Sequence, residues 1–143
     1  LNSSFKCIFE KQNNLFNATT LINHATKYVE RNENEKNEDL LFAILNNYIG
    51  LYNVDFGNYE IAIKYFEKAF EIRKKVYCND LNHPDIAEST KYIGLFYDKQ
   101  GEYEKALEYY KNSFEMYKNA ANSNHSDIAE ILNNISIVYL NKS

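Results

Sequence analysis

Apolar side chains recur at three- and four-residue steps along much of the chain, which is the pattern of helices that bury one face. One such stripe consists of Tyr59, Ala62, Ile63, Phe66, Ala69, Phe70 and Val76. A second stripe, 44 positions further on, consists of Tyr103, Ala106, Leu107, Tyr110, Ser113, Phe114 and Tyr117. Charged residues such as Lys105 and Glu108 fall outside the second stripe. The pattern therefore predicts two equivalent amphipathic helices, the first over about residues 58–77.

Helices of a second type alternate with these. They are predicted from about Asp39 to Val54, from Asp85 to Gln100 and from Ser126 to Asn141. Gly57 and Gly101 stand between the two types, and glycine ends a helix there because it adopts a left-handed backbone without steric cost. The chain is therefore predicted to consist of helical hairpins.

The hairpins repeat one another. Tyr48-Ile49-Gly50-Leu51-Tyr52 returns as Tyr92-Ile93-Gly94-Leu95-Phe96, and His83-Pro84-Asp85-Ile86-Ala87 returns as His125-Ser126-Asp127-Ile128-Ala129. The first offset is 44 residues and the second is 42. Periods of this size indicate stacked supersecondary units, each of which needs a neighbour to bury its apolar face.

The repeat divides the chain into a single solenoid domain, 1–143, with four parts. Repeats cover 39–82 and 83–124, and 125–143 is the first helix of a further repeat. Residues 1–38 read as a degenerate copy, in which a weaker stripe consists of Leu15, Ala18, Ile22, Ala25 and Val29.

Small residues face large ones in this pattern. Gly50 and Ala62 are predicted to let the two helices of one hairpin approach closely, as are Gly94 and Ala106 in the next hairpin. The aromatic rings of Phe66 and Tyr110, each four residues after an alanine, are predicted to fill the space between successive hairpins.

Charge and composition exclude several partners. The net charge of -4 argues against nucleic acid, because phosphate binding needs clustered lysine and arginine. No apolar run reaches the roughly 18 residues of a membrane span, and Leu1 opens no secretion signal, so the chain is expected to be cytoplasmic. Cys7 and Cys78 are too far apart to form a close-spaced metal or redox pair and are expected to be free, mostly buried thiols.

Catalytic constellations are not evident. His24, His83 and His125 lack metal-ligand spacing, and the last two repeat at unit boundaries, where capping or packing explains them. No glycine-rich phosphate loop or nucleophile elbow is present. The protein is therefore expected to be no enzyme and to need no cofactor or metal.

The motif Ile93-Gly94-x-x-Tyr97, Gly101 and Ala106-x-x-x-Tyr110 resembles the tetratricopeptide repeat. The resemblance extends to the preceding repeat, and it covers residues 39–143 well and 1–38 weakly. Units of 42 to 44 residues and the His-Pro-Asp-Ile-Ala opening look like the longer repeats of kinesin light chain-like proteins. Departures are Asn53 in place of an aromatic residue, Ser113 in place of alanine and Ser136 in place of glycine. The resemblance implies an all-α solenoid of antiparallel hairpins with about seven helices.

The resemblance also implies a concave groove, lined by the first helix of each hairpin, that binds a partner peptide or helix. The candidate groove residues are Asn47, Leu51, Glu88, Lys91, Leu95, Asp98, Asn133, Asn134 and Ile137. Leu51 and Ile137 are equally compatible with packing between helices. The asparagine amides can donate to and accept from a peptide backbone, although solvated surface explains them as well.

The charges of this face favour some ligands over others. Lys91 stands nearly alone among Glu88, Asp98 and Glu130, whereas tetratricopeptide clamps for acidic chaperone tails carry several basic residues. A neutral or basic ligand with apolar anchors is therefore favoured. The predicted role is an adaptor or scaffold module.

Two alternatives remain to peptide capture by an adaptor. The first is a structural or assembly domain, in which the last helix mediates self-association because it carries Ile128, Leu132, Ile135, Tyr139 and Leu140 on more than one side. An uncovered apolar helix at the end of a solenoid normally needs a partner or a following helix. The second is a regulatory domain that senses a short signalling peptide.

Overall fold

The computed structural model describes Thr20, residues 22–23 and 25–27, Glu30 and residues 39–143. The chain divides into two compact units, residues 1–35 and 36–143. The described residues of the first unit are helical. Cys7, His24 and most of the predicted degenerate repeat lie outside the described residues.

The second unit contains five helices. They are α1 (Asp39–Asp55), α2 (Tyr59–Val76), α3 (Pro84–Lys99), α4 (Tyr103–Asn119) and α5 (His125–Lys142). The ends of α1, α2, α3 and α5 agree with the predicted ends to within about one residue, because apolar periodicity and turn glycines both mark helix boundaries. The residues that the structure describes form helices and turns without a strand. The prediction of an all-α solenoid fold is confirmed.

Consecutive helices pack on one another. α1 packs mainly on α2 and α3 mainly on α4, while α3 also packs on α2 and α5 on α4. The two hairpins α1–α2 and α3–α4 are thus stacked in chain order, and α5 extends the stack by one helix. Because each element contacts chiefly its neighbours in sequence, the unit has the contact pattern of a repeat protein.

The two hairpin turns are built alike. Gly57 and Gly101 both adopt a φ of 75°. The Gly57 N–H donates to the Val54 carbonyl at 3.0 Å, and the next N–H, that of Asn58, donates to the Asn53 carbonyl at 2.8 Å. This pair of bonds is the Schellman motif, which satisfies carbonyls that a helix end leaves unpaired. The predicted role of the two glycines is therefore confirmed.

Aromatic rings occupy the space over the two helix glycines. A Cβ atom on Gly94 would lie 2.8 Å from the Tyr110 ring, and one on Gly50 would overlap the Phe66 ring. Both rings are fully buried. Phe66 also stacks on Tyr92 of the next hairpin, with ring centroids 5.5 Å apart. Each ring thus fills a notch within its own hairpin as well as the predicted space between hairpins.

The equivalent surface of α5 is uncovered. Ser136 occupies the position of Gly94 in the following repeat, and it is exposed. Around it Leu132, Tyr139 and Leu140 are exposed too, whereas Ile131 and Val138 are buried against α4. α5 therefore has one buried apolar face and a second apolar face toward solvent.

The predicted burial of Cys78 is wrong. This residue is a free, exposed thiol in the turn between α2 and α3. The turn follows the last helical residue, Val76, so the apolar periodicity that places side chains in the core no longer applies there.

The notch at Gly94 gives a stability prediction. An alanine in place of a glycine inside a helix normally stabilises the fold by about 1 kcal/mol. In Gly94→Ala we expect a loss of about 1–3 kcal/mol instead, because the buried Tyr110 ring has no room to move away. Urea unfolding measures the difference.

Ser136→Ala is the matched control, since the same position in α5 is exposed, and it should change stability by less than about 0.5 kcal/mol. The loss in Gly94→Ala should shrink when Tyr110→Leu is introduced as well, as the two sites are in contact. A stabilised Gly94→Ala variant would contradict the packing described above.

Candidate functional site

A cleft opens between the first helices of the two hairpins. Its volume is about 270 Å³. It is lined by Ile44, Asn47, Tyr48 and Leu51 of α1, by Asp85, Glu88 and Tyr92 of α3, and by Arg73 of α2. It is therefore formed mainly by the first helices, as expected for the groove of a helical-hairpin solenoid.

The rim of the cleft is apolar and aromatic. Tyr48 is 59% exposed and Ile44 is 42% exposed, while Leu51 and Tyr92 are half-buried. Side chains of this kind bury much area on binding, and tyrosine adds a polar hydroxyl at its tip.

Asn47 lies at the base of the cleft and is buried. Neither the nitrogen nor the oxygen of its side-chain amide has a hydrogen-bond partner among the described residues. By contrast, the amide nitrogens of Asn46 and Asn53 donate to the Phe42 and Ile49 carbonyls at 2.7 and 2.8 Å. A buried polar group without a partner is costly, so Asn47 is a feature that folding alone does not explain.

Arg73 reaches the cleft from the second helix and is only 3% exposed. Its Nη1 donates to the Asp85 carbonyl at 2.8 Å and to the Ser89 hydroxyl at 2.9 Å. The same nitrogen lies 2.9 Å from the Glu88 carboxylate. Arg73 therefore joins α2 to the first two turns of α3 at the wall of the cleft.

Sequence reasoning missed Arg73. The residue sits beside Lys74 and Lys75 near the end of α2, where basic residues ordinarily stay in solvent and complement the helix dipole. A signal was nevertheless present. Arg73 follows Ala69 by four residues, so it continues the buried stripe of α2, and the equivalent position of α4 is the buried Tyr117.

The N-terminus of α3 forms the end of the cleft. The Asp85 N–H donates to His83 Nδ1 at 3.2 Å, and the Tyr77 hydroxyl donates to the Asp85 carboxylate at 2.8 Å. The His83 and Tyr77 rings are stacked with centroids 3.5 Å apart. Burial, and then the hydrogen bond to Asp85, raise the pKa of Tyr77 to about 12. The predicted capping role of His83 is confirmed.

His125 does not have that role. It is the first residue of α5 and is exposed, and the cap is Asn124, whose side chain accepts from the Ser126 N–H at 3.0 Å. The helix begins one residue earlier in this repeat, because asparagine is a stronger N-cap residue than histidine.

Lys91 is buried and its charge is compensated. It is 5% exposed, and its Nζ lies 2.9 Å from Glu130 of α5 and 4.9 Å from the centre of the Tyr92 ring. Burial, followed by the nearby charges of Glu88 and Glu130, raises the pKa of Tyr92 above its ordinary value. The charges near Tyr92 are thus of both signs, Glu88 and Glu130 on one side and Arg73 and Lys91 on the other.

The cleft brings together three of the nine predicted groove residues, namely Asn47, Leu51 and Glu88. Lys91 lies beside it through its contact with Tyr92. Leu95, Asp98, Asn133, Asn134 and Ile137 lie elsewhere on α3 and α5, with Asn133 and Ile137 exposed. Burial raises the pKa of Asp98. As partner-binding residues all nine remain predictions.

Possible metal ligands are not clustered in the part of the chain that the structure describes. No three histidine, cysteine, aspartate or glutamate side chains there come together as ligands. None of the described helices is long and apolar enough to cross a membrane.

The stacked hairpins and the cleft along their first helices define an α-solenoid repeat protein. A family model for the tetratricopeptide repeat matches residues 40–119 and, in an overlapping second match, residues 85–142. Together these matches cover more than half of the chain, which therefore belongs to the tetratricopeptide repeat family. A comparison with curated proteins gave no match. The finer resemblance to kinesin light chains stays a prediction.

Membership of this family carries a general function. Tetratricopeptide repeats are protein–protein interaction modules in general, and the fold is typically non-catalytic.

The contacts of Arg73 lead to a second prediction. Arg73→Ala should destabilise the chain by about 2–3 kcal/mol, since it removes three contacts between α2 and α3. The loss should stay below that of a fully buried ion pair, because the half-exposed Glu88 carboxylate can regain water. Arg73→Lys should restore only part of the loss, because an ammonium group is more strongly hydrated than a guanidinium and costs more to bury.

Lys75→Ala is the control, since Lys75 is exposed on the same helix turn. It should change stability by less than about 0.5 kcal/mol in urea unfolding. An Arg73→Ala variant as stable as this control would rule out the bridging role of Arg73.

Proposed function

We propose that the cleft between α1 and α3 binds an extended peptide segment of a protein partner. The observation that carries the proposal is the unpaired amide of Asn47, which lines the cleft while it is buried. A site with an unmet donor and an unmet acceptor on one side chain suits a ligand that offers both groups.

A peptide backbone in an extended conformation has this property. It presents alternating N–H and C=O groups along its length, and neither is used within the strand itself. One N–H of the ligand would donate to the Asn47 oxygen, and a carbonyl would accept from the Asn47 nitrogen. The pair of bonds would position the ligand without selecting its side chains.

The rim supplies the anchoring surface. Ile44, Tyr48, Leu51 and Tyr92 surround the polar base with apolar area that a ligand side chain can cover. The base and rim together have the arrangement common to peptide sites, in which backbone bonds give orientation and apolar pockets give affinity. Binding through this cleft is the activity expected of an adaptor or scaffold.

Asn47→Leu tests the proposal. We expect this substitution to leave the free energy of unfolding unchanged or to raise it by up to about 1 kcal/mol, because it removes a buried amide that has no partner. Peptides of about ten residues, roughly 33 Å when extended, would be selected from a random displayed library on the parent chain. Affinity of the selected peptides for Asn47→Leu should fall at least about tenfold, the equivalent of one or two hydrogen bonds.

Asn112→Leu makes the same chemical change at an exposed position of α4, away from the cleft. It should leave peptide affinity unchanged. If no peptide is selected, or if both variants bind as the parent does, the proposed site is wrong. Calorimetry or fluorescence anisotropy gives the affinities.

Self-association through α5 is the second candidate function, and the observation that favours it is the uncovered apolar face of that helix. Leu140 is 74% exposed and Leu132 is 46% exposed. Contiguous apolar surface of this kind marks interaction sites on many proteins. It would serve assembly rather than peptide capture.

Sedimentation over a range of concentrations tests this candidate. We expect the sedimentation coefficient of the parent chain to rise with concentration, and a Leu132→Glu, Leu140→Glu double variant to stay monomeric because charges oppose burial. Asn112→Glu is the control for added charge on an exposed surface. A parent chain that is monomeric throughout would remove the candidate.

A further inference from the structure

We infer that the cleft selects a peptide that carries a lysine or arginine side chain, and that Asp85 and Glu88 receive this cation. The inference rests on the proposed function, since it names the partner chemistry of the same site. It goes beyond backbone binding because it concerns the choice among peptides.

The charges that line the cleft do not cancel. Arg73 provides one positive charge, and Asp85 and Glu88 provide two negative ones. Glu88 compensates Arg73 at 2.9 Å, which leaves the charge of Asp85 without an opposite lysine or arginine charge among the lining residues. The neighbouring Lys91 is compensated by Glu130. The cleft therefore has a net negative charge, and a cation gains from entering it.

Both carboxylates remain accessible. The Asp85 side chain is 41% exposed and the Glu88 side chain 37% exposed. Asp85 accepts the Tyr77 hydroxyl through Oδ2, and Glu88 contacts Arg73 through Oε2, so each has a second oxygen that can accept from a ligand. The two residues are three apart on α3 and thus lie on the same face of the helix.

The aromatic rim also suits a cation. The Nζ of Lys91 lies 4.9 Å from the centre of the Tyr92 ring, so this ring already has a cation near it. Tyr48 is the most exposed aromatic residue that lines the cleft, and its ring can cover the carbon stem or the charge of a ligand side chain.

Two features oppose the binding of a cation, and both have a smaller effect than the negative charge of the carboxylates. The N-terminus of α3 carries a partial positive charge equivalent to about half an elementary charge, which is less than the full charge of Asp85. The Arg73 Nε–H has no hydrogen-bond partner among the described residues and can donate to the carboxylate of an acidic ligand. Such a ligand would add a second carboxylate beside Glu88 on one guanidinium, in the cleft that Asp85 also lines, and the like charges would repel.

The test uses the peptides selected on the parent chain, because selection supplies ligands of the cleft while the natural partner is unidentified. We expect lysine or arginine at one position of the selected peptides more often than in the unselected library, with aspartate and glutamate depleted there. Synthetic peptides that differ only at this position would then be compared. Replacing lysine with glutamate should weaken binding at least about tenfold at low salt, and less at high salt where charges are screened.

Two variants locate the receiving carboxylates. Asp85→Asn and Glu88→Gln keep the size and the acceptor oxygen while they remove the charge. In each variant the ratio of lysine-peptide to glutamate-peptide affinity should fall at least about threefold, whereas Glu108→Gln on the exposed face of α4 should leave the ratio unchanged. Helical content and urea unfolding of each variant establish that it is folded before affinities are compared.

The outcomes separate the inference from the proposed function. Selected peptides that bind in an Asn47-dependent manner but show no basic preference, or prefer acidic residues, would overturn the inference alone. The same holds if Asp85→Asn and Glu88→Gln keep the full preference. If no peptide is selected, both the proposed function and the inference fail.

Discussion

The fold depends on two positions in first helices where a Cβ atom would overlap a buried aromatic ring. Gly50 and Gly94 leave notches that the buried rings of Phe66 and Tyr110 fill. This close contact brings α1 to α2 and α3 to α4, and the same Phe66 ring then extends to Tyr92 of the next hairpin. Phe66 therefore makes contacts both within its own hairpin and to the next hairpin. The spacing of the first helices, and with it the width of the cleft, thus follows from the packing at the glycines.

The helical framework could be predicted from the sequence because its determinants are local. Apolar periodicity predicted the helices, and Gly57 and Gly101 predicted where the first helix of each hairpin ends. The faces of the first helices followed from the repeat, and Asn47, Leu51 and Glu88 do lie together in the cleft. Helix position thus indicated the cleft for these three residues, while the other six predicted groove residues do not line it.

What could not be predicted depends on contacts between distant residues. Arg73 looks like a solvent-exposed base beside Lys74, yet it is buried because Asp85, Glu88 and Ser89 come from another helix to meet it. The partner of Lys91 is 39 residues away in sequence. Helical periodicity describes one element at a time, so pairings of this kind lie beyond it, as does the exposure of Cys78 in an irregular turn.

The ion pair between Lys91 and Glu130 gives the proposed binding surface a boundary. Asn47, Lys91 and Asn133 occupy the same position of successive first helices, but only Asn47 combines burial with an unpaired side chain. A ligand that advanced from the cleft along α3 would meet a buried ammonium group already held by α5, and displacing it would expose an uncompensated charge. The helices therefore repeat regularly in their backbone, whereas the side chains that could hold a peptide do not. A bound peptide would be held at the cleft and blocked at the next repeat, so its register along the first helices would be fixed.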